Sequence, residues 1–232
     1  MISLETARRV LSIVDAGLCR GVGEPTPGKM CVEAAVCYAL GEPHGDQPSC
    51  VAEPDRRFKI KLNDADWSSD AARAKGLRRV AIMQLGTAGT DRSEWRKILV
   101  ELTIRHVLPE ALEAAAKRNP RHADRLRAAV ESCRRDGSRA AALEGKAAAD
   151  AAAYAADADA AYAAADAAYA AAAAAYAADA DAAYAAADAA YAAAAYAERD
   201  RVLLIAARCA EEAYERTGSP GVDLMRQIEA AP

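Results

Sequence analysis

The sequence predicts an all-α protein: a small N-terminal helical domain, then a long Ala-rich helix or helical bundle with 22-residue repeats. Three observations carry this. Apolar residues recur at helical spacing along most of the chain. Residues 138–217 hold a single glycine, Gly145, and no proline. Within them, Ala147–Ala197 consists of 37 Ala, 7 Tyr and 7 Asp and nothing else, and alanine has the highest helix propensity.

In the first region, residues 1–90, Leu4, Ala7, Val10, Leu11 and Val14 share one helical face and predict an opening amphipathic helix. A Gly/Pro-rich loop covers Gly17–Gly28. A second helix is expected from Met30 to Leu40, stopped by Gly41-Glu42-Pro43. Phe58, Ile60 and Leu62 alternate with Lys59 and Lys61 as a strand would, but the flanks read as helix and no partner strand is visible, so helix is favoured. Asn63-Asp64 and Trp67 read as a turn with an aromatic anchor. Ser68-Ser69-Asp70 should cap a helix reaching Leu85, with Gly76 inside it as an unfavourable residue.

The second region, 91–137, carries apolar faces at Trp95, Ile98, Leu99 and Leu102 and at Ala123, Leu126, Ala129, Val130 and Cys133, with Pro109 placed to start a helix between them. Thr90 or Asp91 should cap the first of these. The third region is the tract, 138–217. The fourth, 218–232, is a short terminal helix behind Gly218-Ser219-Pro220.

The composition narrows function. Of 53% apolar residues much is alanine in the tract, and the chain has one Phe and two Trp. The net charge of -4 divides into -7 on the tract and +3 elsewhere. Near-neutral total charge argues against nucleic acid as a bulk partner. No uncharged apolar run is long enough for a membrane span, and no secretory leader is visible, so a cytoplasmic protein with reduced cysteines is expected.

Tyr154–Ala175 and Tyr176–Ala197 form a tandem repeat in which only Ala174 differs from its counterpart, Tyr196. Twenty-two residues are two elevens, about 3.67 per turn, so equivalent positions stay on one line of a nearly straight helix. A continuous tract would be about 76 Å long at ~1.5 Å per residue; a break at Gly145 or at the Asp-Ala-Asp triplets would instead give a bundle. On the helical wheel Tyr154, Tyr162, Tyr169, Tyr176, Tyr184 and Tyr191 make one stripe. Asp159, Asp166, Asp181 and Asp188 border it on one side, Asp157 and Asp179 on the other. Such a stripe calls for a cover, either another helix of this chain or a second copy. The binding residues are therefore expected at Tyr162, Tyr169, Tyr176, Tyr184 and Tyr191 and at Asp159, Asp166, Asp181 and Asp188, and the partner is a protein or the chain itself.

Chemistry has one other candidate seat. Cys31, Glu33, Cys37, His44, Asp46 and Cys50 fall in GKMCVEAAVCYALGEPHGDQPSC. Zinc could use Cys31, His44 and Cys50, with Cys19 as a further ligand, but the spacing C-x5-C-x6-H-x5-C lacks a C-x2-C knuckle. Cys31 at a helix N-terminus, with a thiol lowered by the dipole and His44 as base, is a catalytic alternative, with Glu33 a further candidate. Without a third orienting group neither is compelling, and no cofactor is expected. Glu33 and Asp46 otherwise read as capping or loop-solvated carboxylates, and Arg78, Arg79, Arg92 and Arg96 as solvated. LGTAGTD, Leu85–Asp91, lacks the ending and the preceding strand of a phosphate loop and reads as a helix stop.

MCVEAAVCYALGEPHGDQPSCV resembles a segment of uncharacterised actinobacterial proteins that also carry Ala-rich helical repeats, and the tract resembles immunity proteins of bacterial toxin systems. The resemblance implies a cytoplasmic helical protein in conflict with toxins or phage, and it brings no catalytic residue with it. The expected function is a non-enzymatic protein-binding or scaffold protein; the alternative is a thiol-dependent enzyme or metal-binding protein centred on Cys31, His44 and Cys50.

Overall fold

A computed structural model of the chain describes residues 2–155, 158–176, 184–185, 188–189, 191 and 196–231. Asp157, Asp179 and Asp181 lie outside the described residues, as do the side chains of Asp159 and Tyr176. The described residues are helical with no strand; an isolated bridge joins Gly23 to Met30. The chain forms two compact units, Met1–Arg96 with Ala210–Pro232, and Lys97–Cys209.

In the first unit α1 (Leu4–Asp15) is capped by Ser3, whose side chain accepts from the Thr6 N–H. Of the face read from the sequence it buries Ala7, Val10, Leu11 and Val14 and leaves Leu4 half-buried, and it also buries Ile13. α2 (Val32–Leu40) starts at Cys31, whose Sγ accepts the Ala34 N–H at 3.3 Å, and stops at left-handed Gly41. It is apolar almost all round and buried from Val32 to Cys37, as befits a central helix. α3 (Glu53–Asp64) has Pro54 in its first turn. Its inward face is Asp55, Phe58, Lys59, Leu62 and Asn63. The spacing of that face settles the 58–62 segment as helix: the alternation of Lys with apolar residues coincides with a 3.6-residue period that places Lys59 inside.

α4 (Asp70–Met83) is capped by Ser69 and ends two residues before the expected Leu85. Gly76 is there because the Trp67 indole lies on that point of the helix, where a Cβ would overlap the ring. Trp67 itself donates Nε1–H to the Leu62 carbonyl at 2.8 Å. α1 packs on α2 and α4, and the terminal helix, Pro220–Glu229, packs on α4 and α1. At Gly221 the backbone comes so close to the Ile82 and Met83 carbonyl region that no side chain would fit.

The second unit begins within α5 (Ser93–Leu102). Asp91 accepts from the Ser93 N–H and hydroxyl, as its place before the helix suggests. A π-helical turn, Thr103–Val107, leads into α6 (Leu108–Arg118). A 3₁₀ turn and α7 (Ala123–Asp136) follow, ended by left-handed Gly137. α8 (Arg139–Ala155) continues through Gly145, which faces Leu112, so the glycine permits close packing and does not break the helix. α9 is Ala158–Tyr176. α8 packs on α9 and α7, and α6 packs on α7 and α9. The tract is therefore not one rod: α9 packs back against α8. α10 (Tyr196–Arg216) and α11 (Pro220–Glu229) complete the described helices.

Alanine supplies the α8–α9 contact. Ala149, Ala152, Ala164, Ala167, Ala170 and Ala171 are wholly buried, while Leu99, Leu108, Leu112, Leu126 and Val130 fill the rest of that core. Their methyl groups let the two backbones approach closely, leaving no room between them for a phenol ring.

Candidate functional site

The tyrosines are accordingly pushed outward. Tyr154 is 92% exposed, Tyr162 72% and Tyr169 68%. The three stand around one groove of about 640 Å³ along α8 and α9, floored by Ala161, Ala165, Ala168 and Ala172 and flanked by Lys146 and Asp150. Lys146 Nζ lies 2.6 Å from Asp150 Oδ2, one helical turn away. Of the two covers expected for the stripe, another helix of this chain or a second copy, the first does not lie over these rings, because the alanine stripe, and not the tyrosine stripe, faces the bundle. Tyr154 belongs to this site with Tyr162 and Tyr169. Tyr184 and Tyr191 are half-exposed, and the Arg199 guanidinium stands 5.9 Å from the Tyr191 ring centre.

Two of the bordering aspartates have raised carboxyl groups. Asp188 is pushed up to about 6, first by burial and then by the negative charge of Asp166. Asp166 is also raised by burial, against the pull of Arg118. The two are equivalent positions of the 22-residue repeat.

A second concentration of chemistry lies at the centre of the first unit, and most of it escapes the sequence. Asp55 and Arg92 form a bidentate pair, Nε to Oδ2 at 2.9 Å and Nη2 to Oδ1 at 2.8 Å, with Arg92 Nη1 also donating to Ser219 Oγ at 3.1 Å. The Arg92 guanidinium lies over two neighbouring aromatic rings, 5.0 Å from the Trp95 ring and 5.4 Å from Tyr214. It is buried, contrary to the solvated role expected for it. Glu33, expected in a solvated or capping role, is wholly buried, with Lys59 Nζ 3.2 Å from its Oε1. That contact is close enough for an ion pair but off the axis of a hydrogen bond, and both Glu33 oxygens lack hydrogen-bond partners. Lys59 instead donates to the Asp55 carbonyl at 2.8 Å. Burial pushes the Glu33 carboxyl up and the Lys59 ammonium down, and their mutual attraction opposes both shifts. The Gln84 side chain, Trp95 Nε1 and the Tyr214 hydroxyl are likewise buried without a well-aligned hydrogen bond. The available signal was the α3 face itself, where Asp55, Lys59 and Asn63 occupy positions that usually hold apolar residues.

The cysteine segment is not gathered into a site. Cys31 is buried, and desolvation pushes its thiol up to about 12, opposite to the lowering expected from the helix N-terminus. The dipole acts, through the Ala34 N–H, but loses to burial. His44 Nε2 donates to the Gly23 carbonyl at 2.9 Å. The Cys50 carbonyl accepts the Gly86 and Ala88 N–H groups, and burial raises its thiol. Among the described residues no three His, Cys, Asp or Glu side chains converge as metal ligands, Cys31, His44 and Cys50 included. No described helix is long and apolar enough to cross a membrane. No protein-family model, no curated protein and no solved structure matches the chain.

Proposed function

We propose that the chain is a non-enzymatic protein-binding module, of the immunity-antagonist or scaffold kind, which docks its partner on the tyrosine-rimmed groove of α8 and α9. One observation carries the reading: three large rings stand in solvent around an alanine floor, where the chain's own packing gives them no stabilising role. Aromatic anchors of this kind dominate protein interfaces, each with about 150–250 Å² to bury at ~25 cal/mol per Å². The raised, buried thiol of Cys31 weighs against the thiol-enzyme alternative.

The test places a photo-crosslinking phenylalanine at Tyr162 and, as a control, at Tyr38, in cells carrying the natural neighbours of the gene. A protein crosslinked from position 162 alone, whose purified form binds the wild type and loses binding to the Tyr154→Ser/Tyr162→Ser/Tyr169→Ser variant, supports the reading. A correctly folded triple variant with unchanged self-association and unchanged partner binding removes it.

A further inference from the structure

Resting on that reading, we propose that the groove's occupant is an arginine-bearing helical segment of a partner protein, with two arginines seven residues apart seated on the Tyr162 and Tyr169 rings.

Charge selects the sign of the occupant. The tract contains 7 Asp and no Lys or Arg, and the lysine that lines the groove, Lys146, is paired with Asp150, so a second copy docking through the same tract would bring net negative charge against net negative charge. Between close surfaces this repulsion acts within a screening length of ~8 Å at physiological salt. An acidic or nucleic-acid partner meets the same barrier. A cationic segment is drawn in.

The rings select the cation. Guanidinium groups stand over three tyrosines of this chain: Arg9 lies 5.7 Å from the Tyr38 ring centre, Arg92 5.4 Å from Tyr214, and Arg199 5.9 Å from Tyr191. The last case bears directly on the groove. Tyr191 is the second-repeat equivalent of Tyr169, and in the sequence the residue 22 positions before Arg199 is Ala177. The first repeat therefore presents the same tyrosine without the arginine. Arginine stacks its planar guanidinium on an aromatic face better than the compact, strongly hydrated lysine ammonium does.

The spacing selects the register. Tyr162 and Tyr169 are seven residues apart on α9, about 10.5 Å along its axis at ~1.5 Å per residue. A helix laid along α9 meets both rings with residues i and i+7. The floor of Ala165, Ala168 and Ala172 allows its backbone a close approach.

The test is fluorescence anisotropy of labelled 18-residue Ala/Gln helical peptides with Arg, Lys or Gln at i and i+7, titrated with the full chain at 0.15 M salt. The expected result is saturable binding of the Arg peptide, several-fold weaker binding of the Lys peptide and none of the Gln peptide. Tyr162→Leu/Tyr169→Leu should weaken Arg-peptide binding about tenfold, from two exposed cation–π contacts, and Tyr162→Phe/Tyr169→Phe should retain it within about threefold, with circular dichroism confirming the fold of each variant. Equal binding of the Arg and Gln peptides overturns the inference but leaves the groove a protein-binding surface. So does a concentration-dependent dimer that excludes every peptide, which would make a second copy the occupant. Arg-peptide binding that ignores the tyrosine substitutions overturns it in favour of diffuse attraction to the aspartates. No peptide binding, together with a Tyr154→Ser/Tyr162→Ser/Tyr169→Ser variant whose self-association and crosslinked partner are unchanged, overturns both this inference and the broader reading.

Discussion

Lys59 and Glu33 share a site from which water is excluded, and each is tolerable there only because of the other. Removing one partner leaves an uncompensated buried charge, which costs about 3–5 kcal/mol. Lys59→Met should lose stability of that order in urea unfolding, and the Glu33→Gln/Lys59→Met double variant should lose less than the two single losses added together. Gly76 presents the opposite contest. Replacing a helix-interior glycine by alanine normally gains about 1 kcal/mol, but here the new methyl meets the Trp67 ring, and overpacking costs about 1–3 kcal/mol. Gly76→Ala should therefore lower the melting temperature. At this scale the sequence shows which residues are odd and conceals why. Gly76 looks like a weak point in a helix, and Arg92 looks like one more surface arginine in an Arg-rich chain. The reason for Gly76 lies in Trp67, which the sequence marks as an anchor without showing what it packs on, and the reasons for Arg92 lie in Asp55 and Tyr214, which are remote in sequence.

The helices were largely legible, because Ser3, Ser69, Gly41 and Gly137 sit where caps and stops belong and the apolar faces of α1 and α7 are buried as their spacing implies. The tract was not legible to the same degree. A sequence of alanines has no apolar stripe, since every face is equally small, so periodicity places the tyrosines on a line without saying which side of the helix packs. The structure gives the packing to the methyl groups. Tyr162→Ala should consequently change unfolding free energy by less than about 0.5 kcal/mol, whereas Ala164→Leu, into the closed α8–α9 contact, should cost about 1–3 kcal/mol. The Asp166–Asp188 pair adds a pH dependence. A carboxyl held at about 6 in the folded chain and at the ordinary 3.8 when unfolded binds more protons when folded, so its charge opposes folding as pH rises from 3.8 through about 6. Asp188→Asn should be more stable than wild type at pH 7 and equal to it below pH ~4, by about 1 kcal/mol at most once solvent screening of this half-exposed group is allowed for.

The first unit is assembled from two distant stretches of chain. Residues after Ala210 bring Tyr214 to Trp95, Ser219 to Arg92, and Glu211 and Glu229 to Arg79. Nothing in the order of predicted helices announces this, because the terminal helix reads as an ordinary amphipathic appendage. Its contribution is testable by truncation: a chain ending at Gly218 loses α11 from its place on α4 and α1. Its first unit should unfold at lower urea concentration, while Trp95 fluorescence, reporting on the centre of that unit, shifts towards that of an exposed indole.

The same discontinuity sets an order of events at the ribosome. Residues 1–96 emerge first, but the strand of chain that completes their core is made only after Lys97–Cys209 has been translated. At ~5–20 residues per second that is a wait on the order of 10 s. During it the charged groups around Arg92 and Lys59 have neither Tyr214 nor Ser219 beside them, and a half-closed unit has time to meet a chaperone before it meets its own C-terminal segment.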